Sequence, residues 1–314
     1  LRKSKRPIVI ASRRSELARR QAQMIGEVLG RLHTHVRVEY RWIESEGDRL
    51  ADAPLADSGG KGLFVHAVER SLLAEQADIA VHSLKDVPMR EQTEGLVIAA
   101  VPRRADHRDC LVAWNGATSI DQLPHGATVG TASPRRGAQL LRLRSDLHLQ
   151  PLRGNVPMRL RRVLDDRAYD ATLLAAAGLI RCGLSQHAMH RIDPSLVLPA
   201  AGQGALAVQC RAKDHVTIRR CLPLNDPTTS AAVHAERSIV AQLGGDCHSP
   251  IAALCEPMEA DGTVAFRMRA CVLSPDGQRC LDAEQHTSDA LLSRCAQELA
   301  AGLIDRNAQA LLAA

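Results

Sequence analysis

The stretch "ATVGTASPRRGAQLL" (127–141) reads as a β-strand that turns into an α-helix within a few residues. Ser133 is a good N-cap candidate, and Pro134 fits the first helical position, which needs no backbone N–H. The first turn is then left holding Arg135 and Arg136. Cations are unfavourable there, because the unpaired N–H groups of a helix N-terminus already make it positive. Something anionic has to offset them.

The same strand-to-helix grammar recurs on both sides. "IVIAS" (8–12) precedes a helical stretch with Leu17, Met24, Ile25, Val28, Leu29 and Leu32 on one face. "VRVEYRWI" (36–43) alternates Val36, Val38, Tyr40 and Trp42 as a half-buried strand does. "GGKGLFVHAVERSLLAEQ" (59–76) is a glycine loop entering a helix, "ADIAVHSLKDVP" (77–88) a buried strand ending in a polar loop, and "GLVIAAVP" (95–102) another strand. After Arg103 and Arg104 the pattern restarts with residues 127–141, "LHLQPLRGNVPMRLRRVL" (147–164) and "YDATLLAAAGLIRCG" (169–183). "LVLPAAGQGALAVQCR" (196–211) is a connection followed by a strand. Strands separated by helices imply a parallel, doubly wound α/β sheet. From about residue 225 the character changes to a smaller α+β domain. It has a helix (228–243), the loop "GGDCHSP" (244–250), the alternating strand "TVAFRMRACVL" (263–273), a "PDG" turn and a helix from Ser288.

At 314 residues, 45% hydrophobic and 24% charged, the chain is ordinary globular material and long for one domain. Aromatics at 2% argue against a stacking platform for single-stranded nucleic acid. The net charge of +5 is uneven: the pairs Arg13–Arg14, Arg135–Arg136 and Arg161–Arg162 sit near element junctions. That pattern favours an anionic ligand over a uniformly basic coat. Nine cysteines without a CxxC pair read as reduced thiols in a cytoplasm-like compartment. No apolar run approaches a membrane span, and the start "LRKSKRPIVIA" is too short in apolar residues for a signal-peptide core. The expectation is a cytoplasmic protein with no membrane and no nucleic-acid partner.

Three strand-to-helix junctions carry the candidate chemistry. The first holds Arg13 and Ser15, the second Thr131, Ser133, Arg135 and Arg136, the third Arg153, Gly154 and Asn155 with Arg159 further along. In a doubly wound sheet the carboxyl ends of the strands face a common crevice, where several guanidinium groups suit carboxylates or phosphates. "GGKG" (59–62) is not a nucleotide-phosphate loop, because no GK[ST] follows at the required spacing. Asp86, in "HSLKDVP" (82–88), is either a surface ion pair with Lys85 or a lone carboxylate able to accept from a cationic or N–H-bearing group. His82 lacks a visible triad partner and reads as structural. The histidines and cysteines show no metal-ligand spacing, so no metal is expected. On its own, Cys247 in the glycine-flanked loop is open to several readings, among them filler, ligand, nucleophile and attachment point.

Taken in order, "GGKGLFV", "AVHSLKDVP", "GTASPRRGAQL", "LRGNVPMRL", "LPAAGQGALAVQCR", "HAERS" and the Cys247 loop resemble the porphobilinogen deaminase (hydroxymethylbilane synthase) family across nearly the whole chain. The resemblance implies two doubly wound domains like those of type II periplasmic binding proteins, plus a smaller C-terminal α+β domain. Domain 1 would span 1–103 with 200–222 returning to it, domain 2 would span 104–199, and domain 3, carrying the cysteine, 223–314. It implies a monomeric transferase joining four molecules of porphobilinogen, with release of ammonia, into hydroxymethylbilane. The primer would be a dipyrromethane cofactor held by a thioether to Cys247. Carried over position by position, Asp86 is the catalytic carboxylate, and Lys85, Ser133, Arg135 and Arg136 surround the cofactor. Arg13, Ser15, Gln21, Arg153, Arg159 and Arg181 hold substrate and growing chain. Ala132 stands where the family commonly has a hydroxyl, and Asp246 where it has a smaller residue before the cysteine. Two other classes compete: a two-lobed solute-binding protein, and a hydrolase with Cys247 and His248 as nucleophile and base.

Overall fold

The computed structural model describes residues 6–44, 65–89, 93–246, 248–260 and 263–312; the glycine loop 59–62 and Cys247 lie outside them. The chain divides into two compact units, Leu1–Arg104 with Ala205–Ser230, and Ala105–Gly204 with Ala231–Ala314.

The first unit is built on β1 (Ile8–Arg13), α1 (Glu16–Leu32), β2 (Val38–Ile43), α2 (His66–Leu73), β3 (Ile79–Ser83), β4 (Leu96–Ala100) and the late strand β9 (Leu206–Arg211). Its sheet has the order β2-β1-β3-β9-β4. β1 is parallel to β2 and β3, whereas β9 is antiparallel to both β3 and β4. The all-parallel expectation therefore fails at one strand. β9 enters beside the carboxyl end of β3, its first residue Leu206 pairing with Ser83, so it runs back along the sheet in the reverse direction. Ile8, Ile10, Ile79 and Val81 pack under Ala22, Ile25 and Leu29 of α1. Ala11 and Ala80 pack under Val68 and Leu72 of α2, so the strands are buried on both faces. The buried stripe of α1 differs from the expected one: Ala18, Gln21, Ala22, Ile25, Gly26 and Leu29 face inward. Met24 and Leu32 are 45% and 46% exposed. Small residues sit against the sheet because Tyr40 of β2 lies over the helix at Gly26, where a Cβ would overlap its hydroxyl.

The second unit holds β5 (Asp109–Ala113), β6 (Thr128–Gly130), α3 (Pro134–Leu143), β7 (His148–Gln150), α4 (Val156–Leu164), β8 (Ala171–Ala175) and α5 (Ala176–Arg181). Its first sheet runs β5-β8-β6-β7, with β5 alone reversed. Ser133 caps α3 by accepting from the Arg136 N–H, with Pro134 in the first turn, and Asn155 caps α4 by accepting from the Met158 N–H at 2.9 Å. After α6 (His215–Cys221) and α7 (Pro227–Gln242) comes an antiparallel meander, β10 (Ile251–Ala260), β11 (Thr263–Leu273) and β12 (Cys280–Ser288), then α8 (Leu292–Asp305). Where a helix was expected from Ser288, β12 runs to that residue and α8 starts at Leu292. One face of the meander packs Ala252, Leu254, Cys271 and Leu273 against Ala138 of α3 and Leu198. The β11–β12 turn reaches the same helix. Gly277, at φ 71°, lies so close that a Cβ there would overlap the Ala138 carbonyl oxygen and come within 2.7 Å of the Arg142 nitrogen. Glu236 of α7, fully buried, accepts from the Gly202 N–H at 2.7 Å and the Cys255 N–H at 2.8 Å.

Candidate active site

In the first unit, the ends of β1 and β3 and the start of α1 line a solvent-open cavity. Arg13, Ser15, Gln21, His82, Ser83 and Asp86 contribute to its lining. Arg13 closes β1 and Ser15 precedes α1 without using its hydroxyl as a cap. Gln21, one turn further on, is 3% exposed and donates to the Ser83 hydroxyl at 2.9 Å. β3 ends at Ser83 in a 3₁₀ turn over Leu84–Asp86, which leaves Asp86 exposed and Lys85 half-buried beside it. The structure thus brings four of the sequence candidates, Arg13, Ser15, Gln21 and Asp86, to one cavity. It adds His82 and Ser83, which the motifs alone did not put there.

In the second unit, the anion facing Arg135 and Arg136 is Asp109, the first residue of β5. Arg135 donates from Nη2 to Asp109 Oδ2 at 2.8 Å, and Arg136 from Nη2 to Asp109 Oδ1 at 2.6 Å. Gln203 Nε2 adds a third donor to Oδ1 at 2.9 Å, and Arg135 Nη1 also donates to the Leu198 carbonyl at 2.7 Å. Asp109 is wholly buried, and burial lowers the Arg135 pKa from its ordinary value, opposed by the Asp109 carboxylate. No local sequence signal could have paired residues so far apart in the chain. Among the described residues, two guanidinium groups still outnumber one carboxylate, and the buried Nε of Arg136 has no hydrogen-bond partner. Arg181, at the end of α5, donates from Nη2 to the Gly204 carbonyl at 2.7 Å, while its buried Nε is likewise unpartnered. Burial pushes its pKa down to about 10, so it remains a cation at neutral pH. Arg159 donates from Nε to the Gly154 carbonyl at 2.8 Å, and Arg153 is half-buried just before Gly154.

The loop around position 247 is organised by Asp246. Its N–H donates to the Ser249 hydroxyl at 3.0 Å, and its Oδ1 accepts from that hydroxyl at 3.0 Å and from the His248 N–H at 2.9 Å. The larger residue before the cysteine thus ties itself to Ser249 and to the His248 N–H. Six of the eight described cysteines are buried, and burial raises the thiols of Cys110 and Cys210 to about 11 and of Cys221 to about 12. Among the described residues no group of three or more His, Cys, Asp or Glu side chains could hold a metal ion. Among them, too, no helix is long and apolar enough to cross a membrane.

These residues fit a carboxylate-rich group. Among the described residues, cations exceed carboxylates around Asp109, and the buried Nε–H groups of Arg136 and Arg181 lack acceptors.

Residues 8–219 match the family model for the porphobilinogen deaminase dipyromethane cofactor binding domain, and residues 230–305 that for the porphobilinogen deaminase C-terminal domain. The porphobilinogen deaminase of Chromobacterium violaceum is 44% identical over 308 residues, covering 98% of this chain and 97% of its own. That of Acidithiobacillus ferrooxidans is 46% identical over 280 residues, covering 89% of each. Among solved structures, the methionine binding protein MetQ aligns with 12% identity and a TM-score of 0.42, over 69% of this chain and 89% of its own. On its matches to both family models and to full-length relatives, the chain belongs to the porphobilinogen deaminase family.

Proposed function

We infer that the chain carries out the family's reaction, the condensation of porphobilinogen into hydroxymethylbilane in tetrapyrrole biosynthesis. It is an enzyme with porphobilinogen deaminase activity. The observation that carries the residue-level reading is the cavity that unites Asp86 with Arg13, Ser15 and Gln21. Porphobilinogen bears an acetate, a propionate, an aminomethyl group and a pyrrole N–H. Arg13 suits its carboxylates, because guanidinium groups bind them through paired charge-assisted hydrogen bonds. Asp86 suits the other end. Loss of ammonia leaves the substrate ring electron-poor, with positive charge spread onto the pyrrole nitrogen. A carboxylate accepting from that N–H stabilises the charge more in the transition state than in the ground state, which lowers the barrier. Asp86 is also placed to hold or move a proton between the leaving amine and the attacked ring carbon.

The dipyrromethane, itself made from porphobilinogen, supplies the terminal pyrrole to which the first substrate unit is joined. Its carboxylates fit Arg135, Arg136, Ser133 and Lys85, and Cys247 is the residue to hold it through a thioether. Arg153, Arg159 and Arg181 serve the growing chain, which gains two carboxylates with each unit. The domains read as 1–103 with 200–222, 104–199 and 223–314, the first two of the periplasmic-binding type. Nine cysteines without a CxxC pair, six of them buried among the described residues, support a reducing, cytoplasmic setting.

Two measurements test this reading. Ehrlich's reagent should colour the purified protein, and intact mass should exceed the chain mass by a dipyrromethane that maps to the Cys247 peptide. Full activity from an unmodified chain would refute the attachment. Enzyme loaded by preformed hydroxymethylbilane should release ammonia in a single turnover. Asp86→Glu should slow that release and Asp86→Asn nearly abolish it. Near-normal release by loaded Asp86→Asn would move the charge-stabilising role elsewhere.

A further inference from the structure

His82 is left unused by the reaction as described. It is 6% exposed at the end of β3, yet it lines the cavity with Asp86 and Arg13. Its Nε2 lies 3.1 Å from Gln209 Oε1 on the neighbouring strand β9. The amide nitrogen of Gln209 donates in turn to Glu69 Oε1 of α2 at 2.8 Å. Only the nitrogen end of an amide can donate to a carboxylate, so the oxygen end must face the ring. An amide oxygen only accepts, so His82 Nε2 must carry the hydrogen. A neutral imidazole with a protonated Nε2 has a bare lone pair on Nδ1. Among the described residues, that nitrogen has no hydrogen-bond partner. Glu69 is itself fixed: it is 3% exposed, accepts from the Thr93 hydroxyl at 2.6 Å and lies 3.4 Å from His66 Nδ1.

We propose that His82 contacts the substrate in this cavity, its Nδ1 accepting a hydrogen bond from a pyrrole N–H or ammonium group, and that Gln209 and Glu69 are positioning residues that fix this tautomer. The assignment rests on the activity inferred above. It divides the cavity by chemistry: Arg13 takes carboxylates, Asp86 takes developing positive charge, and His82 takes an N–H without adding charge. The charged groups around the ring are Glu69 and His66 from α2, Asp86 from the turn after β3, and Arg13 from β1. Burial pushes the His82 pKa down, Arg13 adds to that, and Glu69, the Gln209 hydrogen bond and Asp86 oppose it. The ring is therefore neutral at pH 7.

Nitrogen-15 NMR of histidine-labelled enzyme tests the proposal, with the His82 signals identified by their loss in His82→Gln. Nδ1 should be unprotonated and Nε2 protonated, and Nδ1 should shift when porphobilinogen is added. His82→Gln keeps a donor near the Nε2 position but removes Nδ1, so kcat/KM should fall about tenfold or more. His82→Asn keeps a polar atom at the Nδ1 position and should lose less. Gln209→Glu, which sets a carboxylate against Nε2, should move the acid limb of the kcat/KM profile upward. A protonated Nδ1, an Nδ1 indifferent to substrate, an unmoved acid limb, or His82→Gln within twofold of wild type would overturn the assignment. Wild-type protein that makes no hydroxymethylbilane would instead overturn the activity reading.

Discussion

Arg135 and Arg136 are held by the protein before any ligand arrives. Each spends one nitrogen on the buried Asp109 carboxylate, so among the described residues the two guanidinium groups share one carboxylate. Removing either should therefore do two things at once. Arg136→Ala takes a 2.6 Å partner from a wholly buried carboxylate that Arg135 and Gln203 still hold, and losing one charge-assisted hydrogen bond costs about 1.5–3 kcal/mol. Chemical denaturation should show that loss, and Ehrlich colour should fall with it. Arg136→Lys keeps charge without the planar fork, so it should recover part of the stability but little of the cofactor. Unchanged stability in Arg136→Ala would mean that the arginine serves the ligand alone. The sequence marked these arginines because a cation in the first turn of a helix is locally wrong. It could not mark Asp109, whose importance exists only once β5 and α3 have packed.

Elements show the same division between local and distant causes. Strand and helix periodicity located β1, α1, β2, β3 and the junction into α3, because each signal lies within one short stretch. The reversed directions of β5 and β9 were not legible, since period two says which residues face inward but nothing about a strand's direction. The stripe of α1 was misjudged for a related reason. Hydrophobicity favoured Met24 and Leu32, while close approach to β2 selected Ala18, Ala22 and Gly26. Close approach also sets the joint between the C-terminal meander and α3. Gly277 has both a positive φ and backbone atoms of α3 where a side chain would go. Gly277→Ala cannot be relieved by a rotamer change, so the turn must lift from the helix. The expected cost is about 1–3 kcal/mol, with faster amide exchange in 274–279 and around Arg142. Ordinary exchange there would show that the turn does not brace the helix.

Among the described residues, Glu256 and His82 show two different acid windows, one in each unit. In the second unit, Glu256 of β10 lies 3.3 Å from His107 Nε2 and 2.8 Å from Arg269 Nη2. The hydrogen bond from His107, aided by Arg269 and opposed by burial, lowers its pKa to about 2. A carboxylate whose folded pKa is depressed adds stability above its unfolded value near 4.5, and that stability is lost as pH falls toward 2. The contribution is about 1–2 kcal/mol, allowing for solvent screening of a side chain that is 30% exposed. In the first unit, His82 works at higher pH. Its folded pKa lies below the unfolded value of 6.5, so acid protonates the unfolded chain first, and stability declines as pH falls below that value. Urea midpoints measured from pH 8 to pH 2 should thus fall in two successive windows. Glu256→Gln should lower stability by about 1–2 kcal/mol at neutral pH, with the deficit vanishing near pH 2, where the wild-type carboxyl is also being neutralised. A constant difference between Glu256→Gln and wild type across the whole range would mean that Glu256 acts through packing and not through its charge.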